Sequence, residues 1–192
     1  MKEFSIDDIS LTVTCDVTLR LAELEKKLEQ RGYTLGYEPI SGNNATLRQL
    51  LDQAILNHWA ARYGEIGDIC MALLVESKMG KIQTKKVPRA ATGPDLKKIF
   101  IGSRGSYGKI LEATFRISPL PEKQKMVRIV LKQKQHKKPF LLKVLESGLR
   151  PAEIQEKGLR FSFNLHGPSS IVHAEEATLK KIVKNMGARL GS

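Results

Sequence analysis

The stretch from Thr92 to Glu122, TGPDLKKIFIGSRGSYGKILEATFRISPLPE, constrains this chain most, because thirty-one residues must hold a turn, a helix, a glycine loop and a strand. Gly93-Pro94-Asp95 reads as a turn into a short helix, with Asp95 in its first turn, where unpaired amides favour a carboxylate. Leu96, Ile99, Phe100 and Ile101 form the apolar face of that helix. In Gly102-Ser103-Arg104-Gly105-Ser106-Tyr107-Gly108 the glycines recur every third residue, a spacing that suits positive φ or close approach of another chain or a ligand. Ile110 to Ile117 alternates imperfectly into a strand, with Ala113, Phe115 and Ile117 on one face and Glu112, Thr114 and Arg116 on the other, and Pro119 and Pro121 stop it. The amides of such a loop can converge on an anion such as a phosphate oxygen, although simple chain reversal is the blander account of the same glycines. The spacing is neither the dinucleotide fingerprint nor a Walker loop.

The remaining segments set an α+β pattern. Asp8 to Thr14 alternates and reads as a strand, and Leu19 to Gln30 carries leucines at helical spacing, with Thr18 as N-cap, no capping box and Gly32 as terminator. Thr46 to Arg62 reads as one helix with Leu47, Leu50, Leu51, Ala54, Ile55 and Trp59 on a broad face. Ile69 to Glu76 is a continuous apolar run suited to a central strand, and Lys78 to Lys81 is a hairpin turn into Ile82-Gln83-Thr84. A sheet that is mixed or antiparallel, with helices packed on it, follows from this order. Past Pro121 the pattern predicts a strand at Met126 to Lys132, a basic linker at Lys134 to Pro139 and a helix at Phe140 to Ser147.

Charge and cysteine content narrow the function classes. A formal net charge of +12 asks for an anionic partner. Lys132, Lys134, Lys137 and Lys138 flank His136 without interleaved aromatics, which argues against a single-strand stacking platform and leaves nucleic acid as a minor alternative. Cys15 and Cys70 have no metal spacing and sit in apolar surroundings, as buried free thiols of a cytoplasmic protein do. The acidic, polar opening Met1 to Asp8 is no signal peptide, and no run of eighteen apolar residues suggests an integral membrane protein. His58 lacks a second ligand at metal spacing, and His166 and His173 flank Gly167-Pro168 with no nucleophile beside them, so no catalytic residue and no metal site is assigned.

The motifs themselves resemble a known family. Ala91-Thr92-Gly93-Pro94-Asp95 followed by Gly102 through Glu122 is similar to the STGPD, helix, GSEGTLGxITEATxxxxPxPE order of FAD-linked oxidases with a PCMH-type, vanillyl-alcohol-oxidase-like flavin domain. That family includes alkylglycerone-phosphate synthase, D-lactate dehydrogenase and glycolate oxidase subunits. Tyr63-Gly64-Glu65-Ile66-Gly67-Asp68 and the segment Val13 to Pro39 resemble further parts of the same domain. The resemblance implies that residues 8–125 are the second subdomain of the flavin domain, and that 126–192 are a shortened cap or substrate domain, with its strand at Phe161 to Gly167 and the following helix at Glu175 to Gly187, or half of a small ferredoxin-like module. It implies FAD as cofactor, held by Thr46, Thr92, Gly93, Ile101, Gly102, Ser103, Arg104, Gly105, Ser106 and Tyr107. Arg48 and Gln49 stand where the family has paired glycines, and nothing before Asp8 matches the pyrophosphate-binding subdomain, so the lone chain is expected to hold flavin weakly. The implied function is part of an FAD-linked oxidoreductase acting on a 2-hydroxy acid or an alkylglycerone-phosphate-like substrate. A companion chain, or self-association through His58, Trp59 and Arg48, would complete it; a catalytically inactive remnant is the alternative.

Overall fold

The computed structural model describes residues 4–42, 44–86, 94–186 and 188–191, so Thr92 and Gly93 lie outside the described residues. Two compact units divide the chain, Met1–Leu120 and Pro121–Ser192. Strands and helices of the first unit run in the order β1 (Phe4–Asp7), β2 (Thr12–Asp16), α1 (Leu21–Glu29), β3 (Tyr33–Thr34), α2 (Leu47–Gln53), α3 (Ala60–Tyr63), α4 (Ile66–Ile69), β4 (Cys70–Ser77), β5 (Gly80–Gln83), α5 (Lys97–Phe100), β6 (Lys109–Arg116) and β7 (Ser118–Pro119).

Five of these strands form a sheet in the order β1-β2-β6-β4-β5, and β3 pairs with β7. Every pairing among the described strands is antiparallel, so the architecture is α+β as the sequence pattern predicts. The apolar run of β4 and the alternating β6 are neighbours, with Leu73 opposite Ala113. Leu21, Leu24 and Leu28 of α1 join Val13, Leu73, Val75 and Phe115 in one buried core, which is why that helix needs only one leucine face.

Three expectations fail here for local reasons. The predicted strand at Asp8 to Thr14 is instead the turn and second arm of a hairpin. The Asp7 carboxylate accepts the Ile9 and Ser10 amides at 3.1 and 2.9 Å and the Ser10 hydroxyl at 2.7 Å, and Leu11 sits at φ +49°. Ile9, which the alternation placed in a strand, is 97% exposed. Helix α1 begins at Leu21 rather than Leu19, because the Asp16 carboxylate holds the Thr18 amide at 2.7 Å in a turn of its own. Glu23 accepts the Arg20 amide at 3.3 Å, a cap the pattern did not anticipate.

The helix expected over 46–62 is broken in two. Ala54 takes a left-handed conformation at φ +47° and ends α2. Pro39 and Asn57 then form an isolated bridge, and the Ile40 amide donates to Leu56 O at 3.2 Å. Asn57 is the reason the chain turns. Its Oδ1 accepts the Glu38 and Trp59 amides at 2.9 and 3.0 Å, and its Nδ2 donates to Gly36 O and Gly64 O at 3.1 and 2.8 Å. A buried amide that satisfies four backbone groups overrides the helical periodicity on either side of it.

The second unit contains β8 (Lys123–Val130), α6 (Lys137–Glu146), β9 (Glu153–Lys157), β10 (Arg160–Gly167), α7 (Ser169–Asn185) and β11 (Arg189–Leu190). Its sheet order is β11-β8-β10-β9. Val127, Ile129, Phe161, Phe163 and Leu165 on one face of the sheet pack with Phe140 and Val144 of α6 and Val172, Leu179, Ile182 and Val183 of α7. The expected basic linker at Lys134 to Pro139 is a short 3-10 turn, Lys134–His136, running straight into α6. Pro139 falls in the first turn of that helix, where its missing N–H costs nothing. Helix α7 starts at Ser169, six residues before the expected start. Glu122 accepts the Ser169 amide at 3.0 Å across 47 residues of sequence, a cap that local pattern cannot show.

Candidate flavin-facing loop

The loop that follows α5 is held from beneath. Lys97, only 2% exposed, donates from Nζ to Cys70 O at 2.9 Å and ties α5 to the first residue of β4. Burial pushes the Cys70 and Cys15 thiols up to about 12 each, so neither buried free thiol is a nucleophile at neutral pH. From this anchor the loop runs out to the surface, with Arg104, Gly105, Ser106 and Tyr107 exposed and Tyr107 63% accessible.

Most of the loop's amides are committed inward. Gly102 donates to Leu51 O at 2.8 Å and Arg104 to Asp52 O at 2.9 Å, so the loop satisfies carbonyls at the C-terminal end of α2. Ile101 donates to Lys97 O at 2.9 Å, Ser103 to Phe100 O at 3.2 Å, Ser106 to Ser103 O at 3.1 Å and Gly108 to Gly105 O at 3.3 Å. The Ser106 hydroxyl also donates to Ser103 O, at 2.7 Å. Positive φ is needed at Gly102 (+80°), Arg104 (+54°), Gly105 (+76°) and Gly108 (+154°) to make this double turn.

The glycines serve different ends. A Cβ on Gly108 would lie 2.7 Å from Val75 Cγ1 and 2.8 Å from Glu76 O, so that glycine lets the loop close against β4. A Cβ on Gly105 would meet nothing nearer than Gly108 O at 3.9 Å, which leaves bare backbone open to an incoming group.

Thr46 stands at the other end of α2, about 9 Å of helix from Asp52 at the usual rise per residue. It caps that helix: its amide donates to Gln49 Oε1 at 2.9 Å, and its hydroxyl accepts the Gln49 amide at 3.3 Å. Arg48 turns inward, its Nε donating to Ile110 O at 3.1 Å and its amide to Val17 O at 2.8 Å. Of the residues singled out for flavin, Ile101 to Tyr107 therefore share one loop, Thr46 lies one short helix away, and Thr92 and Gly93 fall outside the described residues.

One group beneath the loop, Asp52, was not singled out in the sequence, whereas Ser103 was. Ser103 Oγ and Asp52 Oδ1 are both buried without a hydrogen-bond partner, on segments that the Gly102 and Arg104 amides hold together. Desolvation pushes the Asp52 carboxyl above its ordinary range, against the opposing pull of Arg48. Asp52 belongs to no motif, and its place directly after the apolar pair Leu50-Leu51 carries no signal of a site. Elsewhere, His173 Nε2 lies 2.6 Å from Lys123 Nζ and His58 is exposed. Among the described residues no three His, Cys, Asp or Glu side chains converge to hold a metal ion. No described helix is long and apolar enough to cross a membrane.

Residues 1–85 match the family model of the FAD binding domain. The chain is 30% identical over 151 residues to alkyldihydroxyacetonephosphate synthase of Caenorhabditis elegans, covering 78% of this chain and 25% of that protein. It is also 30% identical over 149 residues to the FAD-linked oxidoreductase YgcU of Escherichia coli K12, covering 77% and 30%. It is a relative of the FAD-linked oxidases. A solved alkyldihydroxyacetonephosphate synthase superposes with a TM-score of 0.85 at 21% identity over 99% of this chain and 41% of that one, which shows a shared PCMH-type fold. The chain spans a third or less of the length of the two relatives described.

FAD is the cofactor of this domain, and the loop fits only part of it. A pyrophosphate cradle needs several outward amides, whereas here six are bonded inward and the loop rests on the negative end of α2. What the loop does offer is a bare glycine backbone at Gly105, the Tyr107 ring, the Arg104 guanidinium and the acceptor side of the exposed Ser106 hydroxyl. That set suits a flat ring or a sugar hydroxyl rather than a diphosphate.

Proposed function

We propose that this chain supplies the second subdomain of the FAD-binding domain and the beginning of the substrate domain of a cytoplasmic FAD-linked oxidoreductase. Its substrate is a 2-hydroxy acid or an alkylglycerone-phosphate-like molecule, and the pyrophosphate-binding part comes from a companion polypeptide. Residues 8–125 and 126–192 are the two functional segments. The reading is carried by one observation: similarity at the 30% level runs through 151 residues, well past the 85 that the FAD-domain model covers.

In this reading Ile101 to Tyr107 face the adenosine half of FAD. The ring of Tyr107 and the open backbone at Gly105 receive the adenine, and the exposed Ser106 hydroxyl meets a ribose hydroxyl. Thr46, Thr92 and Gly93 border the same cofactor. The inward turn of Arg48 supports weak binding by the chain alone, since a side chain fills the place where paired glycines would lie along the flavin. FAD supplies the redox chemistry when bound; these residues bind and orient it.

The distinguishing experiment is a fluorescence titration of the isolated chain with FAD and, separately, with FMN, which lacks the adenosine half. Weak, saturable quenching by FAD that is diminished in Tyr107→Ala, with no response to FMN, is expected. Equal responses to the two flavins would remove the adenosine assignment.

A further inference from the structure

The second unit carries most of the chain's charge. Its 72 residues hold fifteen lysines and arginines against six glutamates, a net +9 of the total +12. Part of that charge is paired on the helix-covered side, where Lys125 and Lys180 both reach Glu176, at 2.6 and 2.7 Å. Those contacts hold the Glu176 carboxyl down at about 2.

The opposite face of the sheet is different. Strand register sets Arg189 of β11 opposite Val130 of β8, Val130 opposite Arg160 of β10, and Arg160 opposite Lys157 of β9. These four residues form one row across all four strands, and alternation puts them on the face away from α6 and α7. Arg128 belongs to the next row on that face, beside Ser162 and Gln155. Arg128, Lys157, Arg160 and Arg189 are all exposed, and none makes an ion pair among the described residues. At ordinary strand spacing the cations in the row stand about 5 to 10 Å apart. The carboxylate on this face, Glu153, lies two rows further along and accepts from Gln155 at 2.9 Å.

Like charges directly opposite one another across strands are destabilising, and Arg160 and Lys157 are such a pair. A local conflict of this kind marks a surface kept for binding rather than for stability.

We infer that the Arg189–Arg160–Lys157 row, with Arg128 beside it, is a docking face for an acidic segment of a partner polypeptide. Charge complementarity names the occupant as anionic. The aromatic side chains of this sheet, Phe161 and Phe163, point to the opposite, helix-covered face, so bases of a single-stranded nucleic acid have no ring here to stack on. A flat sheet face also presents no helix or ribbon to a duplex groove. Carboxylates on an extended acidic chain can meet successive arginines bidentately. The face lies wholly in the second unit and does not depend on flavin binding.

Fluorescence anisotropy of the full-length protein with a labelled glutamate-rich peptide tests this, with random duplex and single-stranded DNA of matched charge run alongside. The peptide is expected to bind most tightly of the three, and more weakly as salt rises. Charge reversal in Arg160→Glu with Arg189→Glu should cut its affinity at least about tenfold, whereas Lys181→Glu with Lys184→Glu on α7 should change it less than about twofold. Circular dichroism of both variants reports their folding, and Arg160→Gln with Arg189→Gln serves if the reversal disturbs it. Equal losses in both pairs, no peptide binding at low salt, or tighter binding of either DNA would overturn the assignment.

Discussion

The amide of Gly102 donates to the carbonyl oxygen of Leu51 at 2.8 Å, so the loop facing the proposed cofactor closes the C-terminal end of α2. Loop and helix therefore stand or fall together, and the glycines of the loop should differ sharply in their tolerance of substitution. Gly108→Ala drives a Cβ into Val75 and the Glu76 carbonyl and is expected to cost about 2–4 kcal/mol. Gly105→Ala meets open space and should cost only about 1 kcal/mol, the strain of a left-handed alanine. Urea denaturation of the two variants checks the order, and a smaller loss at Gly108 than at Gly105 would contradict the packing described.

Glu25 links α1 to β3 by accepting the Thr34 hydroxyl and the Leu35 amide, each at 3.0 Å. Burial, helped by the neighbouring carboxylates of Glu29 and Glu38, pushes its carboxyl up from 4.5 to about 7. The folded state thus favours the proton. The stability this group contributes is full below 4.5 and is lost as pH rises through about 7. Glu25→Gln should match the parent near about pH 5 and exceed it by about 1–2 kcal/mol near about pH 8. Paired chemical denaturation at the two pH values checks this; a difference that does not change with pH would rule it out.

Asn57 satisfies four backbone groups from a position 5% exposed. Asn57→Ala leaves buried donors and acceptors unpaired and is expected to cost about 2–4 kcal/mol. Hydrogen exchange should show the loss first at the Glu38 and Trp59 amides. Unchanged protection there would mean that the turn is held by something else.

The lessons of the sequence divide by the range of the forces involved. β4, β5 and β6 were legible because each is set by its own apolar pattern and turn residues, and the antiparallel α+β class follows from their order. The position of α5 was legible but its face was not: Leu96 and Ile99, expected on the apolar side, are 39% and 45% exposed, while Lys97 is buried because its Nζ donates to Cys70 O. The break at Ala54, the start of α7 at Ser169 and the hairpin at Asp7 were not legible, because each depends on a side chain satisfying backbone groups, as Asn57, Glu122 and Asp7 do. The glycine loop was legible as a loop. The inward bonds of Gly102 and Arg104 were not, since their acceptors, Leu51 and Asp52, lie some fifty residues earlier in α2. Trp59, expected as an exposed anchor, is half-buried with its ring 6.2 Å from that of Tyr63, because the broken helix turns it toward α3.

The most direct measurement of the central claim is the visible absorbance spectrum of the tagged full-length chain purified two ways from its native cells, within its complex and after separation from it. The complex should carry FAD in stoichiometric amount, the separated chain should be nearly colourless, and Gly105→Glu should lower the flavin content of the complex while leaving its composition intact. A separated chain that stays stoichiometrically yellow, or a complex without flavin, would contradict the account.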